Sequence, residues 1–272
     1  MPSGKVSKQR RRAAQAPPPV RVTGAVRRRQ ASPRVLIGAG AVVIAIVVAA
    51  VLAFVFTGGS SSSVKNAPAV GSLAGALPGA ADVEALFKGV PQNGTTLGSP
   101  KAPVTMTEFI DLQCPYCQQF ETQLFPDIVR SYVRSGKLRV TMRPWAFIGP
   151  DSTRGQSAVL AAGARDKSFN LAEVLYDNQG TENTGWLDQT MVANAAASIP
   201  GLHVRTLLTD LGSAQVKAQA QSVDAEATTD NIQQTPTIFV GKTGTHGREV
   251  HLASPTDKQA LVHAIESALR SG

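Results

Sequence analysis

Cysteine is scarce in this chain of 272 residues: there are two, both inside one stretch of four. That excludes a disulfide-dense scaffold and a four-cysteine zinc module. Acidic residues are missing altogether from residues 1–34, which hold ten Lys or Arg. The formal charge of +8 is therefore local, because the rest of the chain sets 17 basic against 19 acidic residues, a net −2. A nucleic-acid-binding surface on the folded part loses its support, since that needs basic residues on the domain itself. Neither proline (17) nor glycine (24) is in excess, so collagen-like and wholly disordered readings fail. No internal repeat is visible, and a hydrophobic content of 43% leaves ample material for a core.

The chain divides into zones. Residues 1–34, with Pro17–Pro19 and clustered arginines, read as a disordered cytoplasmic tail. Residues 35–56 carry no charge or strongly polar group. As a helix they would span roughly 33 Å, enough for a hydrocarbon core of about 30 Å. Arginine precedes the span and a Gly/Ser-rich stretch follows it. The bias predicts a single-pass anchor with its N-terminus inside and the remainder extracytoplasmic. A cleaved secretory signal competes, but its apolar region would be shorter and would end in small residues. Residues 57–90 read as a flexible tether, with a short amphipathic helical turn within 82–88, and a folded α/β domain is expected over 91–272.

Within that domain, residues 104–110 (VTMTEFI) alternate as a strand, with Val104, Met106, Glu108 and Ile110 on one face. A helix is expected from Cys114, with Pro115 in its first turn, a broad apolar face, a kink at Pro126 and a stop at Gly136. Residues 138–142 predict a second strand, ended by Pro144, which makes strand–helix–strand one parallel crossover. Residues 152–231 show helical spacings broken by glycines and predict four or five helices. Strand character returns at 237–240 and 248–252, and a closing helix fits 256–270.

The chemistry centres on Cys114-Pro115-Tyr116-Cys117. A Cys-x-x-Cys pair where a strand meets a helix puts its first sulfur at the helix N-terminus, where free N–H groups and the dipole favour a thiolate. Thiolate is the attacking species in disulfide exchange, and a low pKa also makes it a good leaving group. Cys117, one turn inward, can then resolve a mixed disulfide. Zinc is a weak alternative, because there is no second pair and the four histidines are scattered, His246 and His251 being the only close ones. A purely structural disulfide would close too small a loop to contribute much. No metal or cofactor is expected. Glu108 should point inward and could take a proton from Cys117, its pKa raised by burial. Asp111 is the alternative, on the opposite face and nearer the turn. Thr235-Pro236 precedes a strand, as proline can.

Residues 108–120 (EFIDLQCPYCQQF), the helical insertion and the Thr-Pro-Thr before a strand together resemble the DsbA-like thiol:disulfide oxidoreductases of the thioredoxin superfamily, in particular their membrane-anchored Gram-positive and actinobacterial type. The resemblance implies a thioredoxin-like fold with a helical insertion between βαβ and ββα halves. It implies that Cys114 attacks, Cys117 resolves and Glu108 accepts the proton. Thr235-Pro236 would be the cis-proline loop that, with Pro115 and Tyr116, faces substrate. Unfolded exported proteins would be the substrates, and a quinone-linked membrane oxidoreductase of the DsbB or VKOR-like type the reoxidant. The Pro115-Tyr116 dipeptide departs from the Pro-His of the strong oxidants and also occurs in glutaredoxins and periplasmic isomerases. A reductase or isomerase on the same scaffold, or a non-catalytic tethered binding module, are the alternatives to an oxidase.

Overall fold

A computed structural model describes residues 67–271. The basic tail, the apolar span at 35–56 and the start of the tether lie outside the described residues. Among the described residues no helix is long and apolar enough to cross a membrane.

Strand β3 (Val104–Ile110) lies at the centre of a six-stranded sheet. It pairs in parallel with β4 (Leu138–Pro144) and antiparallel with β5 (Thr237–Lys242). Between β3 and β4 runs α2, a helical stretch in four segments: Pro115–Gln119, Phe120–Leu124, Phe125–Ile128 and Val129–Val133. The β3–α2–β4 unit is the expected parallel crossover. Alternation along β3 sends Val104, Met106 and Ile110 into the main core with α2, while Phe109 joins a smaller cluster with Ala227, Ile232 and Phe239 on the other face. Glu108, in register with Met142 and Ile238, belongs to the α2 side and is wholly buried.

Pro126 does not break α2. The turn before it, Phe120–Leu124, widens to π-helical geometry, and Val129–Val133 does so again. Proline has no N–H to donate and its ring crowds the carbonyl four residues back, which a widened turn relieves. Phe125 stacks on Phe120 and on Phe169, with centroids 6.3 and 6.0 Å apart, so the run stays anchored across the widened turns. It ends where Lys137 N–H reaches the Tyr132 carbonyl at 3.0 Å and Gly136 takes a φ of 71°, a conformation that suits glycine.

The insertion between the two halves holds five helices: α3 (Pro150–Gly163), α4 (Ser168–Asp177), α5 (Gln189–Ala197), α6 (Val204–Asp210) and α7 (Ala214–Thr229). α4 is buried along almost its whole length. The closing helix α8 (Lys258–Arg270) starts two residues later than its pattern predicts, because Asp257 caps it by accepting from Ala260 N–H at 3.1 Å.

Two expectations need correction, and one hairpin is added. Residues 70–90 are part of the folded domain and not tether: Gly71 N–H bonds to the Leu202 carbonyl, and α1 (Ala80–Phe87) buries Ala80, Val83, Leu86 and Phe87. Phe87 meets Phe169 of α4 edge-on at 6.1 Å, and Arg134 ties the end of α1 through the carbonyls of Ala85, Leu86 and Lys88. A hairpin, β1 (Gln92–Asn93) and β2 (Thr96–Leu97), extends the sheet beyond β4. The last strand, β6, is confined to Arg248–Glu249, after which the chain leaves the edge toward the cysteine pair.

Candidate active site

Cys114 is the N-cap of α2, its backbone extended (φ −72°, ψ 119°), and Pro115 occupies the first turn, where a missing N–H costs nothing. The Cys114 sulfur accepts from Cys117 N–H at 3.4 Å. As a thiol it donates to the Thr235 carbonyl at 3.3 Å. The Thr235–Pro236 bond is cis, and the turn it makes at the start of β5 brings residue 235 against the sulfur. Both cysteines are free thiols and both are buried, while Tyr116 between them is 59% exposed.

The two thiols differ sharply in acidity. Cys114 is lowered from 9.0 to about 6, chiefly by the hydrogen bond from the Cys117 thiol; burial opposes this, and Thr235 with the backbone N–H groups at 116 and 117 adds to it. Cys117 is pushed well up, first by burial and then by its role as donor to Cys114. Near neutral pH the pair is therefore a Cys114 thiolate supported by a Cys117 thiol.

The turn that carries the pair is tightly held. The Asp111 carboxylate accepts from the N–H groups of Gln113, Phe147 and Ile148, each at 2.8 Å. Asp111 is thus occupied as a backbone anchor. α4 and the loop after it hold the same turn from behind: Tyr176 donates to the Asp111 carbonyl at 3.0 Å, and Gln179 to those of Leu112 and Cys114 at 2.9 and 3.2 Å. Gln113 bridges to Ser152 and to Asn183 N–H.

Glu108 presents the opposite case. Neither carboxylate oxygen has a hydrogen-bond partner, and burial followed by the charge of Glu121 raises its pKa well above the ordinary value. Glu121 and Glu173 are also buried; desolvation raises each of them most, and the charge of Glu173 raises Glu121 further. The sequence reading passed over both residues. The only signal was a glutamate at position 121, one turn beyond Cys117 and amid the apolar face of α2.

A groove of about 220 Å³ opens beside the pair, lined by Tyr116, Gln234–Thr237 and residues 249–255. It brings together Tyr116, Thr235 and Pro236 from the sequence-predicted set. Pro115 is not among its lining residues. A larger concavity of about 760 Å³, between the β5–β6 turn and α8, contains neither cysteine. Among the described residues no group of three or more His, Cys, Asp or Glu is placed to hold a metal ion.

A thioredoxin-like sheet with a helical insertion, and a reactive thiol at the N-terminus of the helix after its central strand, define a thiol:disulfide oxidoreductase. Residues 91–262 match the Thioredoxin family, and the chain belongs to it. The probable disulfide bond formation protein D of Bacillus anthracis is 26% identical over 178 residues, covering 64% of this chain and 78% of that protein. Oxidised BdbD from Bacillus subtilis superposes with a TM-score of 0.58 at 24% identity, over 66% of this chain and 97% of that one. DsbA of Chlamydia trachomatis does so with a TM-score of 0.55 at 22% identity, over 65% and 91%. In fold the protein resembles these solved structures.

Proposed function

We propose that the protein is a membrane-anchored dithiol oxidase that introduces disulfides into exported, unfolded proteins. The observation that carries the direction is the acidity of Cys114. A thiolate held at about 6 stabilises the reduced pair, and a stable reduced pair makes its disulfide the better oxidant. Relative to a thiol at 9.0 the gain at pH 7 is about 1.4 kcal/mol, equivalent to roughly 30 mV for a two-electron couple.

In the oxidised enzyme a substrate thiolate attacks the Cys114 sulfur and breaks the Cys114–Cys117 bond. Cys117 leaves as a thiolate and takes a proton from the Glu108 carboxyl, whose proton affinity burial raises. A second substrate thiolate attacks the substrate sulfur of the mixed disulfide and expels the Cys114 thiolate. The substrate has lost two electrons and the enzyme pair has gained them. A quinone-linked membrane oxidoreductase of the DsbB or VKOR-like type would then withdraw those electrons. Thr235 and Pro236 would line the approach of an extended substrate backbone, with Pro115 and Tyr116 opposite. Proline adds no N–H that would need a partner there.

Residues 35–56 would anchor the chain with residues 1–34 in the cytoplasm, supported by their apolar length and by the arginines that precede them. The test is the reduction potential of the full-length chain, in detergent, equilibrated against glutathione buffers. A value of about −120 to −180 mV is expected for an oxidase, whereas about −270 mV would make the enzyme a reductase and sink the proposal.

A further inference from the structure

The face of the sheet turned away from α2 is only partly covered. Alternation along β4 buries Leu138, Val140 and Met142 in the main core and leaves Arg139, Thr141 and Arg143 half-buried on the other side. Thr105 and Thr107 of β3 lie beside them, in register with Arg139 and Thr141. α7 closes one end of this face, where its Ala227 joins Phe109 and Phe239 in the smaller cluster. Beyond that cluster a cavity of about 210 Å³ remains, floored by Thr105, Thr107 and Thr141 and walled by Glu226, Asp230 and the turn at 244–246. The turn comes down onto the sheet because Gly241 has no side chain. A Cβ there would collide with the Gly247 Cα and the Thr245 hydroxyl.

The donors around this cavity are fixed at one end and free at the other. Arg139 Nε donates to Thr105 Oγ1 at 2.9 Å. The Thr105 and Thr243 hydroxyls are 2.8 Å apart, and Thr243 donates onward to the Ala102 carbonyl at 2.7 Å. A hydroxyl has one proton, so Thr105 is the donor to Thr243 and the acceptor from Arg139. The chain therefore runs in one direction, from guanidinium to carbonyl, and holds Arg139 by its Nε. The terminal nitrogens of Arg139 have no hydrogen-bond partner, and no described carboxylate pairs with it. Arg143 is held likewise, its Nε on Glu226 at 2.6 Å and its terminal nitrogens unengaged. The hydroxyls of Thr107 and Thr141 have no partner either. His246 bonds to Asp230 at 2.9 Å, and that hydrogen bond raises its pKa. Two guanidinium groups and a protonated His246 against two carboxylates leave the lining one positive charge in excess.

We infer that this cavity binds a phosphate-type tetrahedral oxyanion, held by the free ends of Arg139 and Arg143 and by the hydroxyls of Thr107 and Thr141. The two arginines are four residues apart on one strand, so their Cα atoms are about 13 Å apart with Thr141 between them. Donors reach the space from two sides and from the floor. A planar carboxylate keeps both acceptors in one plane, whereas a tetrahedral group turns an oxygen toward each donor. Guanidinium edges match phosphate oxygens in pairs, and a group already fixed at Nε loses little freedom on binding. The volume falls below the roughly 300 Å³ of drug-sized sites, so the ligand is the oxyanion with at most a short attached group. Free phosphate and the phosphodiester of a lipid headgroup share this chemistry. The site has no residue in common with the groove beside the cysteines and goes beyond the proposed function.

The test is a titration of the full-length chain with inorganic phosphate, in a maltoside detergent at constant ionic strength, read by backbone amide NMR shifts. The shifts should saturate and should concentrate on residues 105–107, 139–143 and 244–246. Arg139→Gln should weaken phosphate at least tenfold, the size of one charge-assisted hydrogen bond. Arg130→Gln, which removes an exposed charge from α2, should bind phosphate as the unaltered protein does. Shifts that rise without saturating, or an equal loss in both variants, would mean general screening of surface charge and overturn the site. Should Arg139→Gln fail to fold, the unaltered protein decides, and a response absent or centred elsewhere refutes the inference. Glycerophosphoglycerol, a soluble diester with a lipid headgroup's phosphate, is the second ligand. Tighter binding than inorganic phosphate assigns the headgroup as the source and weaker binding the free ion, while binding of neither overturns the proposal.

Discussion

Replacing Cys117 with alanine should raise the pH at which Cys114 ionises. In the structure the Cys114 thiol is lowered from 9.0 to about 6, and the hydrogen bond from the Cys117 thiol is the largest cause. Three pH units correspond to about 4 kcal/mol. A hydrogen bond to a charged group contributes about 1.5–3 kcal/mol, so its removal should move ionisation up by about one to two pH units. The remainder comes from Thr235 and from the N–H groups of Tyr116 and Cys117, which alanine leaves in place. Serine at 117 keeps an O–H donor and should shift the midpoint by less than alanine does. Thiolate absorbance at 240 nm, titrated on the reduced variants from pH 4 to 10, reads the difference directly. The functional consequence is large, since at pH 7 a thiol at about 6 is roughly nine-tenths ionised and one at 7.5 only about a quarter. If Cys117→Ala still ionises near 6, the backbone donors alone account for the thiolate, and the pairwise reasoning is wrong.

Stability should depend on pH differently in the two redox states. The Cys114 thiol ionises lower in the folded than in the unfolded chain, so its contribution is present at high pH and is lost as pH falls through about 6. The disulfide form lacks this contribution, while the raised carboxyls are common to both forms and cancel. The stability of the reduced protein relative to the oxidised should therefore grow by about 2 kcal/mol between pH 6 and pH 8. Parallel denaturation curves for the two forms would refute it. Asp111→Ala should cost about 3–5 kcal/mol, because it strands three N–H groups now bonded at 2.8 Å. Chemical denaturation measures this, and a loss under about 1 kcal/mol would mean the turn does not depend on that carboxylate.

The parts legible in the sequence are those where pattern and chemistry agree locally. Alternation along 104–110 gave β3 and its buried face, and Cys114-Pro115 marked the start of α2. The hairpin at 92–97 escaped because its strands are two residues each and carry no alternation, although Asn93-Gly94 is a turn signal. The Gly/Ser/Ala-rich run before residue 91 concealed α1, whose four buried residues matter only once α4 is there to receive them. The sequence preferred Glu108 to Asp111 by its strand face alone. What it did not show is that the N–H groups of Phe147 and Ile148, 36 and 37 residues away, occupy Asp111, while Glu108 has no hydrogen-bond partner. Glu121 and Glu173 were illegible for a related reason: a glutamate on a helix reads as solvent-facing until another element covers it.

The grip of α4 on the reactive turn defines what the helical insertion does for the pair. The carbonyls of Asp111, Leu112 and Cys114 already accept from Tyr176 and Gln179. Those three carbonyls are thus engaged within the fold itself. The groove beside the pair is lined instead by Tyr116, Pro236 and residues 249–255, with no residue of α4. The helical insertion, which holds no cysteine, therefore serves the pair as a brace for its turn and not as a wall of its groove.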